Sequence, residues 1–327
     1  MSIGLIVVML LILGSEFVNG WTDAPNSIAT VVSTRVIKPR YAVLMATSFN
    51  IAGTFFGTEV AKTIGTGIVR PEAINLVTVG AAMVGIVIWS TAAWYFGIPT
   101  SESHALVAGL AGAGLATGGP SVLLWSGWSK VIIGLLFSSV IGLAGGFSIA
   151  WLIRRTCRGL TRGNGMRLFN TLQTISAGAM ALSHGSNDGQ KFIGTFTLAL
   201  VLGGVLPEFH VQTWTILLCS GIMGLGTSIG GWRIIKTMGQ KMAKLESYQG
   251  FAAESAAAGS ILAASALGIP LSTTHTINTS IMGVGTATRL TAVRWSVAKE
   301  MVAAWILTFP ICGLIGFSVA LLLQKIF

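Results

Sequence analysis

Apolar runs at about 3–18, 41–61, 73–96, 121–153, 168–183, 192–206, 213–232, 250–268 and 295–324 alternate with short polar joints. A helix that crosses a hydrocarbon layer takes roughly 20 such residues, so the pattern predicts a bundle of membrane-spanning helices. Three polar phrases interrupt it, each written twice and in the same order. Gly97-Ile98-Pro99-Thr100-Ser101-Glu102-Ser103-His104 returns as Gly268-Ile269-Pro270-Leu271-Ser272-Thr273-Thr274-His275. Asp23-Ala24-Pro25-Asn26 is matched by Asn187-Asp188-Gly189-Gln190-Lys191, and Lys62-Thr63-Ile64-Gly65 by Lys236-Thr237-Met238-Gly239. The steps from Asp23 to Asp188, Lys62 to Lys236 and Ser101 to Ser272 are 165, 174 and 171 residues, near enough to constant for one unit written twice. The division expected is a membrane repeat over 1–153, a basic cytoplasmic linker over 154–167 and a second repeat over 168–327, together one transport domain.

Composition sets the environment. With 53% hydrophobic and 9% charged residues, the chain lacks the roughly 25% charge of a soluble domain and reads as a multi-pass protein of the cell membrane. Its 42 glycines suit helices that approach closely or break inside the bilayer. The net charge of +10 sits in short loops, where it orients the chain rather than binding nucleic acid. Cys157, Cys219 and Cys312 have neither metal nor disulfide spacing. Residues 3–18 lack the basic n-region and cleavage site of a removed signal, so a retained first helix is expected.

Basic residues also separate the two halves. Arg35, Lys38 and Arg40 follow the first acidic phrase, whereas the matching loop around Pro207 and His210 carries no Lys or Arg. The next pair reverses: Arg70 stands alone against Arg233, Lys236, Lys241 and Lys244. Arg289, Arg294 and Lys299 follow the second serine-rich phrase, and only Lys130 follows the first. If Lys and Arg mark the cytoplasm, the halves cross in opposite senses. The fold class expected is therefore an all-α integral membrane protein of two inverted-topology repeats, with broken helices and two re-entrant hairpins.

Gly-Ile-Pro followed by Ser or Thr is a helix-start signal, and a helix that starts within the membrane offers free N–H groups and a positive dipole end to an anion. Ser101, Glu102 and Ser103 are expected to face Ser272, Thr273 and Thr274 across such a site. A carboxylate inside the bilayer costs about 2.5–3.5 kcal/mol on the insertion scale, which marks Asp23 and Asp188 as functional and paired, at points where a helix of each half is interrupted. Their oxygens and those of the neighbouring asparagines suit a small hard cation, a proton or Lys191. Two carboxylates against one ammonium leave the site negative, so an anion enters only with protons, sodium or a divalent metal. Glu254, opening another apolar run, is a further candidate for coupling, and His104 and His275 are candidates for a proton relay beside an ordinary core role.

These phrases resemble those of the PiT inorganic phosphate transporters, whose repeated signature is like Gly-Ala-Asn-Asp-Val-Ala-Asn and whose hairpin motif is like Gly-(Leu/Ile)-Pro-x-Ser-x-x-His. Both occur twice, and the resemblance runs over almost the whole chain. It implies a secondary active transporter, a symporter that imports inorganic phosphate with cations by alternating access in the lipid bilayer, and it leaves a homodimer open. It further implies that Ser101, Ser103, Ser272, Thr273 and Thr274 hold phosphate oxygens, and that Asp23, Asn26, Asn187 and Asp188 line the same cavity and bind the coupling cation; the residues themselves add Lys191 and Glu254 to the coupling candidates. Thr22 and Glu102 depart from the usual residues. Lys191 stands where the last Asn of the signature is expected, as in the bacterial low-affinity branch. An ammonium there takes the place of a sodium ion, which favours coupling to H+, or carriage of a divalent metal with phosphate, over coupling to Na+. No resident cofactor or metal is expected.

Sulfate permease is the nearest alternative. Monohydrogen phosphate, unlike sulfate, donates a hydrogen bond to a carboxylate, and Glu102 in the hairpin favours such a substrate. A passive channel has no need of matched buried acids. An intramembrane enzyme needs one oriented constellation, not Ser272 and His275 repeated in duplicate, so no enzyme is expected.

Overall fold

The computed structural model describes residues 2–325, and among these there are helices and no β-strand. The first half contains α1 (Ile3–Ser33), α2 (Pro39–Gly53), α3 (Glu59–Gly67), α4 (Leu76–Phe96), α5 (Glu102–Gly118) and α6 (Trp125–Thr156). The second contains α7 (Arg162–His184), α8 (Gln190–Leu202), α9 (Thr213–Ile229), α10 (Trp232–Lys236), α11 (Ser247–Ala266), α12 (Thr273–Thr288) and α13 (Trp295–Gln324). By length and composition α1, α4, α6 and α13 are long and apolar enough to cross a membrane, and α9 joins them if it and the segment after it, bent by 59°, are one broken span. The segment expected as a basic linker is mostly helix: it is the last turn of α6, a short joint, and the first turn of α7.

The interruptions at the two aspartates are milder than expected. α1 runs unbroken through Asp23 with Pro25 inside it. Proline has no N–H to donate, so the helix loses a rung there without a gap. Between α7 and α8 the chain makes one π-helical segment, Gly185–Gly189, that holds Asp188, a local loosening of the kind often found at functional sites. The clear breaks fall elsewhere, between α2 and α3 and between α9 and α10.

Equivalent helices of the two halves run antiparallel through the centre. The Leu5 side chain of α1 packs against Gly203, and the Thr34 hydroxyl donates to Gln173 of α7 at 2.9 Å. Between them, Asp23 lies opposite His184 and Asp188. Contacts are also reciprocal, as in a two-fold dimer folded into one chain. α5 packs on α13 while α12 packs on α6, and α1 packs on α9 while α7 packs on α2. The amide of Leu124 donates to Ile68 O at 3.2 Å, and its equivalent, Arg294, to Met242 O at 3.0 Å.

Gly20 and Gly185 show how tight these contacts are. A Cβ on Gly20 would stand 2.2 Å from Met223 O, and one on Gly185 2.0 Å from Asn50 O. Backbone on both sides leaves nothing flexible to yield. Gly185→Ala is therefore expected to destabilise the protein by about 1–3 kcal/mol or more, read as a lower unfolding temperature in detergent. An unchanged temperature would mean that α2 and the π-helical segment after α7 do not approach this closely.

Candidate functional site

Each serine-rich phrase makes the tip of a helical hairpin. α4 and α11 both end in a Schellman turn: the amides of Gly97 and Ile98 donate to Trp94 O and Ala93 O, and those of Gly268 and Ile269 to Ser265 O and Ala264 O. The turn needs a left-handed residue, and Gly97 (φ 70°) and Gly268 (φ 65°) supply it. The proline two residues later stops the first helix, and a serine caps the next one. Ser101 Oγ accepts from His104 N at 3.4 Å, and Ser272 Oγ from His275 N at 3.2 Å.

The two tips meet. Ser272 Oγ donates to Ser101 Oγ at 2.8 Å, so the starts of α5 and α12 confront each other inside the protein. Two helix beginnings converge there, each carrying amides that its own helix does not use. The Lys-Thr-x-Gly phrases explain how the tips are held. Thr63 Oγ1 donates to Gly268 O at 2.7 Å and Thr237 Oγ1 to Gly97 O at 2.8 Å, so each half clamps the hairpin of the other.

The acidic phrases reach the opposite hairpin in the same crossed fashion. Asn26 Nδ2 donates to Thr274 Oγ1 at 2.9 Å and lies 3.4 Å from Thr273 Oγ1. Its equivalent, Lys191, donates to Ser103 Oγ, to Leu271 O at 2.9 Å and to Asp188 Oδ1. Thr274 Oγ1 lies 3.3 and 3.4 Å from the Asp23 carboxylate, and Thr273 Oγ1 donates to Asp188 Oδ2 at 2.6 Å. Asp23, Asn26, Asp188, Lys191, Ser101, Ser103, Ser272, Thr273 and Thr274 thus form one buried polar knot. The Lys191 ammonium pairs with Asp188, whereas Asp23 has no cationic side chain within 4.0 Å among the described residues.

Other expected residues lie around this knot. Glu102 faces α1 and α4, accepting from Thr22 Oγ1 at 2.9 Å and Ser90 Oγ at 2.6 Å. Asn187 turns to the stem of the second hairpin, donating to Ser265 Oγ at 2.9 Å, so it does not join Asp188 at the hydroxyls. Glu254 is removed from the knot, where Thr30, Ser176 and Gln173 all donate to it. Among the described residues, His104 and His275 make no hydrogen bond or ion pair with a carboxylate. Their rings meet edge to face at 4.3 Å, with His275 stacked 3.8 Å from Trp305.

His184 is a site residue to which sequence reasoning gave no role. Its Nε2 lies 3.1 Å from Asp188 Oδ2 and its Nδ1 3.1 Å from Asn50 Oδ1, while Asn50 Nδ2 donates to Thr227 Oγ1 at 3.1 Å. The available signal was its place one helical turn before Asp188. Ligand atoms of Asp23, His184 and Asp188 all lie within 4.8 Å of one another, a donor set of two carboxylates and an imidazole that suits a divalent cation.

The comparisons with known proteins agree with this duplicated construction. The model of the phosphate transporter family matches twice, over residues 19–164 and 161–316. A probable low-affinity inorganic phosphate transporter of Rhizobium meliloti (strain 1021) is 45% identical over 96% of this chain and 94% of its own. One of the same description from Bacillus subtilis (strain 168) is 37% identical over 98% of both. A solved structure named as the sodium-dependent phosphate transporter superposes with a TM-score of 0.88 over 100% of both chains at 24% identity, which establishes a shared fold. With one family's model fitting each half in turn and such relatives matched almost end to end, the chain belongs to the phosphate transporter family.

Proposed function

We propose that this protein is a symporter that imports inorganic phosphate together with protons, by alternating access of two halves inserted in opposite senses. The observation that carries the reading is the contact of Ser101 with Ser272 at 2.8 Å, between Asp23 on one side and Asp188 with Lys191 on the other. Hydroxyls and helix-start amides suit an oxyanion, and the relatives named as phosphate transporters support phosphate as that anion. Ser101, Ser103, Ser272, Thr273 and Thr274 would take its oxygens, with Asp23 or Asp188 accepting a hydrogen bond from its O–H. The crossed clamps of Thr63 and Thr237 tie each hairpin to the other half, so both tips move when the halves rock.

The charge balance supports coupling. Lys191 offsets Asp188, and the carboxylate of Asp23 opposes an incoming anion until a cation joins it. Lys191 already fills the place beside Asp188 with an ammonium, which favours protons over sodium; the sodium named for the structural neighbour belongs to a protein 24% identical. A second reading, in which phosphate travels as a complex with a divalent metal, is favoured by the cluster of Asp23, His184 and Asp188.

Labelled phosphate uptake into vesicles tests the proposal. An imposed pH gradient is expected to drive accumulation, a sodium gradient is not, and excess sulfate is expected to compete weakly. Strict dependence on sodium with no response to pH would overturn proton coupling, and equal competition by sulfate would overturn the choice of anion. Loss of uptake on chelating divalent metals would favour the metal complex.

A further inference from the structure

Glu16, Asn19, Asp23, Asn26 and Thr30 follow one another on α1 at steps of three and four, so they share one face of the helix, and all five are buried. Asp23, Asn26 and Thr30 have the partners described above. Glu16 and Asn19, both 0% exposed, share a single hydrogen bond, from Asn19 Nδ2 to Glu16 Oε2 at 3.3 Å. The remaining oxygens, Glu16 Oε1 and Asn19 Oδ1, have no partner. Among the described residues the ion pairs are those of His184 and Lys191 with Asp188, so no basic side chain lies within 4.0 Å of Glu16. A buried carboxylate held by one amide, with an unpartnered acceptor beside it, is incomplete unless something positive or proton-donating joins it.

We propose that Glu16, with Asn19, is a proton-binding station separate from the phosphate pocket, loaded and emptied in each transport cycle. The inference rests on the proton-coupled reading above and names a residue that carries the proton. The step is a simple association: an O–H bond forms between a Glu16 oxygen and a proton from the aqueous phase, and it breaks when that proton returns to water on the far side. While it lasts, the charge of Glu16 is gone and the carboxyl has a hydrogen to donate, which Asn19 Oδ1, one turn along the same face, accepts. Two free side-chain oxygens supply only a small part of the roughly six to eight oxygens of a hard divalent cation, whereas a proton needs one, so we take the occupant to be a proton. The surroundings are specific. Ser15 donates to Leu11 O and lies 3.4 Å from Met83 O of α4, so that neighbour offers backbone and no charge. The titratable groups that act on Glu16 are Asp188 and Lys191 from the second acidic phrase, Glu102 from α5 and the Cys219 thiol from α9. From Glu16 to Asp23 is two turns, about 10 Å along the axis at 1.5 Å per residue. A proton on Glu16 is therefore felt at the pocket without entering it.

Proteoliposomes of the full chain test the station with two assays on one preparation: exchange of labelled for unlabelled inorganic phosphate at equal pH, and net accumulation driven by a pH gradient. Glu16→Gln is expected to keep exchange and to lose at least tenfold in driven accumulation. Accumulation by E16Q equal to wild type would overturn the station and leave proton coupling standing. If E16Q does not fold, Glu16→Asp carries the test: it keeps a carboxyl but shifts it, so the pH profile of accumulation is expected to move, and an unmoved profile overturns the station. A wild type driven by sodium and indifferent to pH overturns the coupling reading itself, and the station with it.

Discussion

Asp188→Asn is expected to abolish phosphate accumulation and also to destabilise the protein by about 3–5 kcal/mol, the usual cost of stripping one partner from a buried ion pair. The amide still fills the space, yet it is neutral and has one acceptor oxygen where the carboxylate served both Lys191 and Thr273, so the buried Lys191 ammonium loses its counter-charge and leans on Ser103 Oγ and Leu271 O. The double variant Asp188→Asn with Lys191→Gln removes the stranded charge, so it should regain most of the lost stability while transport stays absent. Thermal unfolding in detergent alongside vesicle uptake separates the two effects. Normal uptake by the single variant would make the Asp188 carboxylate a structural group only.

The second large effect concerns the hairpin tips. With Ser101 and Ser272 hydroxyls 2.8 Å apart, cysteines at both positions are close enough to form a disulfide. Ser101→Cys with Ser272→Cys is expected to carry residual phosphate flux when reduced, to lose it when oxidised, and to recover it on adding dithiothreitol. Each single variant should ignore the oxidant. Undiminished flux through a fully oxidised double variant would mean that the tips need not separate, and rocking of the halves would have to be abandoned.

Much of this architecture was legible because duplication leaves a trace that hydropathy alone does not. The hairpins could be read from Gly-Ile-Pro-x-Ser, since glycine, proline and an N-cap hydroxyl each have a local backbone reason to stand there. The meeting of Ser101 with Ser272 followed from having two copies. Other features depend on tertiary packing. The interruption expected at Asp23 is a proline inside a continuous helix, because α1 is buried on several sides and neighbours support the lost rung. Asn187 sits beside Asp188 in sequence but points to Ser265, as adjacent residues on a helical segment do not share a face. Glu254 shares no phrase with the pocket, and its three donors come from α1 and α7. Glu16 was hidden in the first apolar run, where one acid among aliphatic residues drew no attention until its missing partners were visible.

The crossed threonine clamps carry a consequence for energetics. If the halves exchange roles in the proposed alternating-access cycle, each half's identical grip on its twin rebuilds an equivalent set of contacts, so the two end states of that cycle would come nearly matched in energy. What tips the balance must then be places where the copies differ, among them Lys191 against Asn26, His184 against Asn19, Glu102 against Thr273, Glu16 against Ala181 and Glu254 against Met83. Every one of these mismatches puts an ionisable group opposite a neutral one. On the proposed cycle these ionisable groups would set which side the resting protein faces, and a change in their charge would shift that preference.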